Sequence, residues 1–234
     1  MIAAAVVPHP PLLVPALVSG AAERLAGLLQ ACDAAVAALL AEAPQAVICV
    51  GDGARTAPHP SSAWGTLAGF GVGVEAPSRH PEVRPTLPLS LTVGRWLLER
   101  AGWRGRVLLH EVASRATPTD CARLGRRLVT DAGEHAAWLV LGDASRTRTE
   151  QAPGYLDPRA EGFDAAVAAA LAGGDAAALS GIDADLAADL GADGRAAWQV
   201  LAGALGRHRT ARATLRYDAA PFGVGYLVAS WWPG

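Results

Sequence analysis

A histidine and two aspartates each come directly after a short apolar run that is typical of a buried strand: His9, Asp52 and Asp143. In open α/β sheets, ligands bind beyond the carboxyl ends of the strands, so we expect these three side chains to meet at one edge of a sheet. An imidazole and carboxylates that converge there can bind a divalent metal, and two histidines with one carboxylate are typical of non-haem Fe(II).

Each of these residues also has a purely structural interpretation. Prolines on both sides of His9 stiffen the backbone, which favours a functional role over a histidine that only closes a turn. Asp143 follows Gly142 and can equally cap the next turn, which is the simpler interpretation from the residues alone. Asp52 belongs to an Asp-Gly pair, a common turn signal.

Arg146 and Arg148 follow Asp143 closely. If their loop borders the pocket, they can clamp a carboxylate or phosphate; if it faces outward, they are ordinary surface charge. Ser145 lacks the surrounding glycines of a nucleophile elbow, and the chain has no P-loop or dinucleotide-binding glycine pattern.

The remaining histidines are weaker candidates. His59 lies in a Gly/Pro-rich stretch, from which it could swing toward His9, but we interpret it as solvated. His110 lies inside a predicted strand and is interpreted as a satisfied core residue. Three more have polar neighbours and no motif: His80, His135 and His208.

The elements that would position these residues alternate between strands and helices. The predicted strands are 2–7, 46–50, 106–112, 138–141, 213–217 and 224–232, and the predicted helices are 21–43, 89–101, 118–131, 162–172, 176–179, 184–190 and 195–205. Residues 54–88 show no clear periodicity, and long loops of this kind are often functional. The order predicts one α/β domain over 1–234, with a central, mostly parallel sheet flanked by helices and an antiparallel element at the end.

Composition excludes several classes of protein. A hydrophobic fraction of 51% with 18% charged residues argues against disorder, and a net charge of -2 offers no field for nucleic acid or an anionic membrane. The apolar N-terminus lacks a basic region, and no apolar run approaches the ~18 residues of a membrane span, so a cytoplasmic location is expected. Three scattered cysteines predict no disulfide framework, with Cys49 a small buried hydrophobe. A homodimer is expected on base rates alone.

Four segments, in this order along the chain, together resemble one family. They are Val6-Val7-Pro8-His9-Pro10-Pro11-Leu12-Leu13-Val14-Pro15, Gly142-Asp143-Ala144-Ser145, Tyr155-Leu156-Asp157-Pro158-Arg159 through Phe163-Asp164, and Pro221-Phe222-Gly223-Val224-Gly225-Tyr226. The chain is similar, from Val6 to Ala229, to the class III extradiol dioxygenase (LigB-like) superfamily, which includes MEMO-like proteins.

The resemblance implies a mononuclear Fe(II) site held by two histidines and a glutamate, with a further histidine as acid and base and a catechol as substrate. His9 matches the first metal histidine, and Asp143 matches the acidic residue of the Gly-Asp-x-Ser motif. The chain departs from this pattern at three places. Where the family has its second metal histidine, after the second strand, this chain has Gly51-Asp52. Arg146 stands at the position of the acid/base histidine. Ala192 stands at the position of the metal glutamate, with Asp193 one residue away.

Three hypotheses follow from this resemblance. The first is an Fe(II)-dependent oxidoreductase acting on a catechol-type aromatic, with metal ligands drawn from His9, Asp52, Asp143 and Asp193. The second is a catalytically degenerate protein that binds a small anionic ligand through Arg146 and His9, with no redox chemistry, since an arginine cannot exchange protons near neutral pH. The third is metal-dependent hydrolysis, which only the carboxylates support. The metal is Fe(II) or another divalent ion, or is absent.

Overall fold

The computed structural model describes residues 1–17, 22–76, 84, 86–133, 135–206 and 211–233. The strands are β1 (Ala4–Val7), β2 (Ala46–Gly53), β3 (Ala57–His59), β4 (Gly65–Thr66), β5 (Glu75–Ala76), β6 (Arg106–Ala113), β7 (Ala136–Leu141), β8 (Ala211–Ala219) and β9 (Tyr226–Pro233). The helices are α1 (Ala22–Ala41), α2 (Leu89–Arg100), α3 (Pro118–Ala132), α4 (Arg159–Gly173), α5 (Ala176–Ser180), α6 (Ala184–Asp189) and α7 (Arg195–Leu205).

Seven strands form the central sheet in the order β3-β6-β2-β7-β1-β9-β8. The four inner strands β6, β2, β7 and β1 are parallel to their neighbours in this set. The strands at both edges are antiparallel to their neighbours. At one edge β3 pairs with β6, and at the other β9 pairs with β1 and β8 pairs with β9. The predicted α/β architecture with a mostly parallel sheet and an antiparallel end is therefore confirmed.

Helices cover both faces of the sheet, which explains why the inner strands read as continuous apolar runs. One core joins the sheet to α1 and α2, around residues such as Leu28, Val36 and Leu97. The other joins the opposite face to α3, α4, α5, α6 and α7, around Trp138 and Trp198. Successive residues of β7 alternate between these two cores, so all six of its residues are buried.

Helix α1 is the one described helix that is long and apolar enough to cross a membrane by length and composition. Its apolar residues Leu25, Leu28, Val36 and Leu39 are buried in the core that it shares with the sheet. Such burial is what a core helix of an α/β domain shows.

The stretch predicted to be irregular contains short strands. Within 54–88, β3 extends the main sheet, whereas β4 and β5 form a separate two-stranded sheet. β3 was missed because it is three residues long and includes Pro58, which cannot donate to a ladder and belongs on an edge strand. Residues 77–83 and 85 lie outside the described ranges.

Helix α7 packs very closely against α3. A Cβ placed on Gly125 of α3 would lie 2.1 Å from the Val200 carbonyl oxygen, and one on Gly203 would lie 2.5 Å from the Ala122 Cα. The two glycines therefore permit contact between the helix backbones.

Candidate functional site

The strand order brings His9, Asp52 and Asp143 together as predicted. β7 lies between β2 and β1, so the residues that end these three strands meet at the carboxyl edge. The His9 Nε2 lies 3.1 Å from Oδ1 of Asp52, and its Nδ1 lies 3.6 Å from Oδ1 of Asp143. The same Asp143 oxygen accepts a hydrogen bond from the His9 backbone N–H at 2.8 Å.

The imidazole of His9 lies between two carboxylates that face different ring nitrogens. His9 is buried, whereas the side chains of Asp52 and Asp143 are 19% and 18% exposed and so border solvent. His9 Nδ1 and Asp52 Oδ1 are buried without a well-formed hydrogen bond. Buried polar atoms are nearly always satisfied in proteins, so unpaired atoms at this position indicate a place for a ligand or an ordered water.

Asp193 joins this group from the loop before α7. Burial raises the pKa of the Asp193 carboxyl, the charge of Asp52 raises it further, and the charges of His9 and Arg146 lower it. The Gly194 N–H donates to the Asp143 carbonyl oxygen at 2.9 Å and so ties this loop to the loop after β7. Ala192, at the position matched to the family glutamate, is buried, whereas Asp193 is half-buried.

A buried carboxylate on α4 holds the loop after β7. Asp164, 1% exposed, accepts hydrogen bonds from the Ser145 N–H at 2.9 Å, the Ser145 hydroxyl at 2.8 Å and the Arg148 guanidinium at 3.0 Å. Arg148 therefore has a structural role as a partner of Asp164. The role of Asp164 as the acceptor that holds this loop was not predicted from the sequence, although the segment that contains it contributed to the resemblance.

Arg146 borders the site but is exposed. Its backbone N–H donates to the Leu190 carbonyl oxygen at 3.0 Å, and its side chain lies against Gly191, where an added Cβ would be 2.3 Å from Nε. Its charge acts on Asp193. The positive charge of the Arg146 guanidinium thus offsets part of the negative charge of Asp193.

Two further residues support the site. The Ser90 hydroxyl at the start of α2 donates to the Asp52 carbonyl oxygen at 2.6 Å and fixes the turn after β2. Tyr226 is buried at the start of β9, and its pKa is raised by burial and then by the charge of Asp143. Tyr226 belongs to the last family-like segment, so that motif was the available signal for its position near the site.

The structure places His59 and His110 away from His9. His59 was expected to be solvated, but it is buried. Its Nε2 lies 2.7 Å from Oε2 of Glu111, which is also buried, so the ring has a polar partner inside the protein. His110 is buried as predicted, and its Nδ1 lies 3.0 Å from the Glu111 carbonyl oxygen. His135 is exposed. His80 and His208 lie outside the described residues.

The donor set does not fit the Fe(II) site that the resemblance implies. That site needs two imidazoles, whereas His9 is the one described histidine in this group. In the described part of the chain, no three His, Cys, Asp or Glu side chains are already arranged to hold a metal ion. Asp52 and Asp143 instead face opposite nitrogens of His9.

Stability of the metal-free protein should fall as the pH rises from about 6.5 to about 9. Burial lowers the pKa of His9, but the charge of Asp143, the contact with Asp52 and the charges of Asp52 and Asp193 together raise it from 6.5 to about 9. A raised pKa means that the stabilisation is complete below 6.5 and is lost as His9 deprotonates in the folded state. The expected loss is on the order of 3 kcal/mol, measured by denaturant unfolding across this pH range.

The His9→Asn variant is the control for this titration. It removes the ionisable group and should have a flatter stability profile between pH 6.5 and 9. Direct observation of the His9 imidazole by NMR should show it still charged at pH 8. A neutral imidazole at that pH, or equal slopes for the two proteins, would contradict the prediction.

No family model matches the sequence, and no curated protein does either. Among solved structures, the chain is similar to a crystal structure of an uncharacterized protein, JW3007, from Escherichia coli K12. The TM-score is 0.54 at 14% sequence identity, over 98% of this chain and 99% of that one. At this identity the likeness extends to the fold, an α/β sheet flanked by helices, over nearly the whole length of both chains.

Proposed function

We propose that this chain is a divergent relative of the class III extradiol dioxygenases that binds a divalent cation in a carboxylate-rich site and acts on a small molecule in the cytoplasm. The observation that carries the proposal is the convergence of Asp52 and Asp143 on one buried histidine, with Asp193 close enough for its charge to act on the same ring. The proposal replaces the iron site with two histidines by a site with one imidazole and several oxygen donors, a set that suits ions such as Mn²⁺.

Electrostatics supports a cation at this position. Asp52 and Asp143 flank a single imidazole, the charge of Asp193 also acts on it, and burial raises the pKa of both Asp143 and Asp193. Partly buried carboxylates that act on one another repel when ionised, unless a cation lies among them. In the metal-free protein the proton of His9 provides one positive charge, and a divalent cation that displaces this proton would provide two.

The side chains divide into two roles. His9 Nε2 and the carboxylates of Asp52 and Asp193 are the proposed ligands, since the charges of Asp52 and His9 both act on Asp193. Asp143 faces the other nitrogen and would orient the ring, as carboxylates beside metal-bound histidines commonly do. A bound cation would act as a Lewis acid that polarises an oxygen of the substrate.

The same charges disfavour an anionic ligand held by Arg146 and His9. Arg146 and a protonated His9 carry two positive charges, whereas Asp52, Asp143 and Asp193 carry three negative charges when they are ionised. An aromatic diol whose oxygens approach a cation remains compatible with this balance, as does hydrolysis at a metal-bound carbonyl or phosphoryl group. Catechol-dependent O₂ uptake after anaerobic addition of Fe(II) would distinguish the oxidative reaction from hydrolysis.

Metal content tests the proposal directly. Protein purified without chelators, and protein reconstituted separately with Fe(II), Mn(II) and Zn(II), should retain close to one ion per chain by elemental analysis. His9→Ala should abolish retention, because it removes the central ligand. Asp143→Asn should weaken affinity by about 10- to 100-fold, as expected for a partner that orients a ligand.

His135→Ala is the matched control, since His135 is an exposed histidine outside the group. This variant should retain metal like the unmodified protein. If none of the three ions is retained, or if His9→Ala retains as much as His135→Ala, the proposed cation site does not exist.

A further inference from the structure

Two adjoining cavities are bordered by residues of α3 and by residues in or next to the strands β3 and β6, at the edge of the sheet where β3 is the last strand. The first, about 620 Å³, is bordered by His59, Arg106, His110, Arg127 and Asp131, among others. The second, about 660 Å³, is bordered by Thr56, Arg115, Asp120, Arg123 and Arg127, among others. Both volumes are typical of small-molecule sites, and both cavities contact Arg127.

Positive charge dominates this pair of cavities. Asp120 is already paired with Arg123 on the same helix, and it also accepts a hydrogen bond from Thr117. Within the described ranges, no carboxylate pairs with Arg106, Arg115 or Arg127. Three guanidinium groups therefore face these cavities against the single remaining carboxylate, that of Asp131.

A histidine holds the central arginine in place. His110 Nδ1 lies 3.0 Å from the Glu111 carbonyl oxygen, and because a carbonyl only accepts, Nδ1 must carry the proton. Burial lowers the pKa of His110, so the ring is neutral and its Nε2 accepts from Arg127 at 3.4 Å. One N–H of the guanidinium is thereby fixed, and the other donors stay available for a ligand.

The acidic residue behind the first cavity does not oppose an anion there. Glu111 binds the His59 Nε2 at 2.7 Å and accepts the Arg55 backbone N–H at 2.8 Å. Its carboxylate is buried in these contacts and does not border either cavity. The polar part of the wall therefore consists mainly of histidine rings and arginine side chains, which lie among apolar residues such as Leu109, Leu124 and Leu128.

We propose that the cavities between α3 and the β3/β6 edge bind a small molecule bearing phosphate or carboxylate groups, with Arg127 as the central cation and Arg106 and Arg115 on either side. A forked guanidinium binds such groups through two parallel hydrogen bonds. This site is separate from the one around His9 and does not depend on a metal there.

Isothermal titration of the metal-free protein with pyrophosphate, citrate and inorganic phosphate tests the site. Pyrophosphate or citrate should bind at a single saturable site, more tightly than inorganic phosphate, because two anionic groups can contact two guanidinium groups. Binding of pyrophosphate alone identifies phosphate-bearing ligands, and binding of citrate alone identifies carboxylate-bearing ones. Either result supports the site.

Arg127→Gln should weaken this binding at least tenfold, and Arg127→Lys should weaken it less, because the charge stays while the fork is lost. Arg126→Gln is the matched control, since Arg126 is exposed on α3 as Arg127 is, but borders a different cavity. His9→Ala should bind pyrophosphate like the unmodified protein. No saturable binding, or equal weakening by Arg126→Gln and Arg127→Gln, would overturn the proposal.

Discussion

Asp164→Ala is expected to lower the free energy of unfolding by about 3–5 kcal/mol, because it removes three hydrogen bonds to a buried carboxylate and leaves charged and polar partners unpaired. The Ser145 N–H, the Ser145 hydroxyl and Arg148 all lose their acceptor. Ser145 stands two residues after Asp143, so the loop that carries Asp143 should also become less ordered. Urea unfolding measures the first effect, and amide hydrogen exchange in this loop measures the second.

Glu161→Ala and Asp164→Asn are the comparison variants for Asp164→Ala. Glu161→Ala changes the same helix and the same cation partner, since Glu161 lies 3.9 Å from Arg148, but its side chain is exposed. Exposed ion pairs contribute little, so stability should stay within about 0.5 kcal/mol. Asp164→Asn keeps an acceptor for the Ser145 N–H, so its loss of unfolding free energy should lie between those of Asp164→Ala and Glu161→Ala. A loss for Asp164→Ala no larger than that for Glu161→Ala would contradict the buried network.

The sequence predicted the sheet and the position of three site residues because both depend on local patterns. Apolar runs that stop at polar residues indicate buried parallel strands, and the side chains after such strands share one edge of the sheet. Helices were predicted well where apolar residues recur over several turns, as in α1 and α7. The predicted bounds of α7 match the structure, whereas each of the other helices differs by one to three residues at one end or both, because caps and last turns vary more than helix interiors.

Contacts between segments far apart in sequence could not be predicted in the same way. Nothing near His59 in the sequence indicates Glu111, and the two meet only because β3 pairs with β6. Asp193 is held near the site because the N–H of the next residue, Gly194, donates to the Asp143 carbonyl oxygen in a distant loop. The relative placement of Asp52 and Asp143 on opposite nitrogens of His9 depends on side-chain geometry, which no spacing pattern encodes.

Gly142 lies where the two loops of the site come closest together. A Cβ on Gly142 would lie 2.3 Å from the Cα of Gly194, and the Gly142 N–H also donates to the Val7 carbonyl oxygen at 3.0 Å. Because backbone lies on both sides, Gly142→Ala must move the loop that carries Asp193. We expect a loss of about 2–3 kcal/mol in unfolding free energy, as for other overpacked sites.

The displacement should also reach the cation site. Asp193 and Asp143 flank the contact that the new methyl group would disturb, and the Gly194 N–H binds the Asp143 carbonyl oxygen. Gly142→Ala should therefore weaken metal retention by folded protein at least tenfold. Gly162→Ala is the control, since Gly162 lies in α4 with no atom within 4 Å of an added Cβ. That variant should gain about 0.5–1 kcal/mol from helix propensity and retain metal fully. Similar behaviour of the two variants would show that the close contact between Gly142 and Gly194 does not hold the site together.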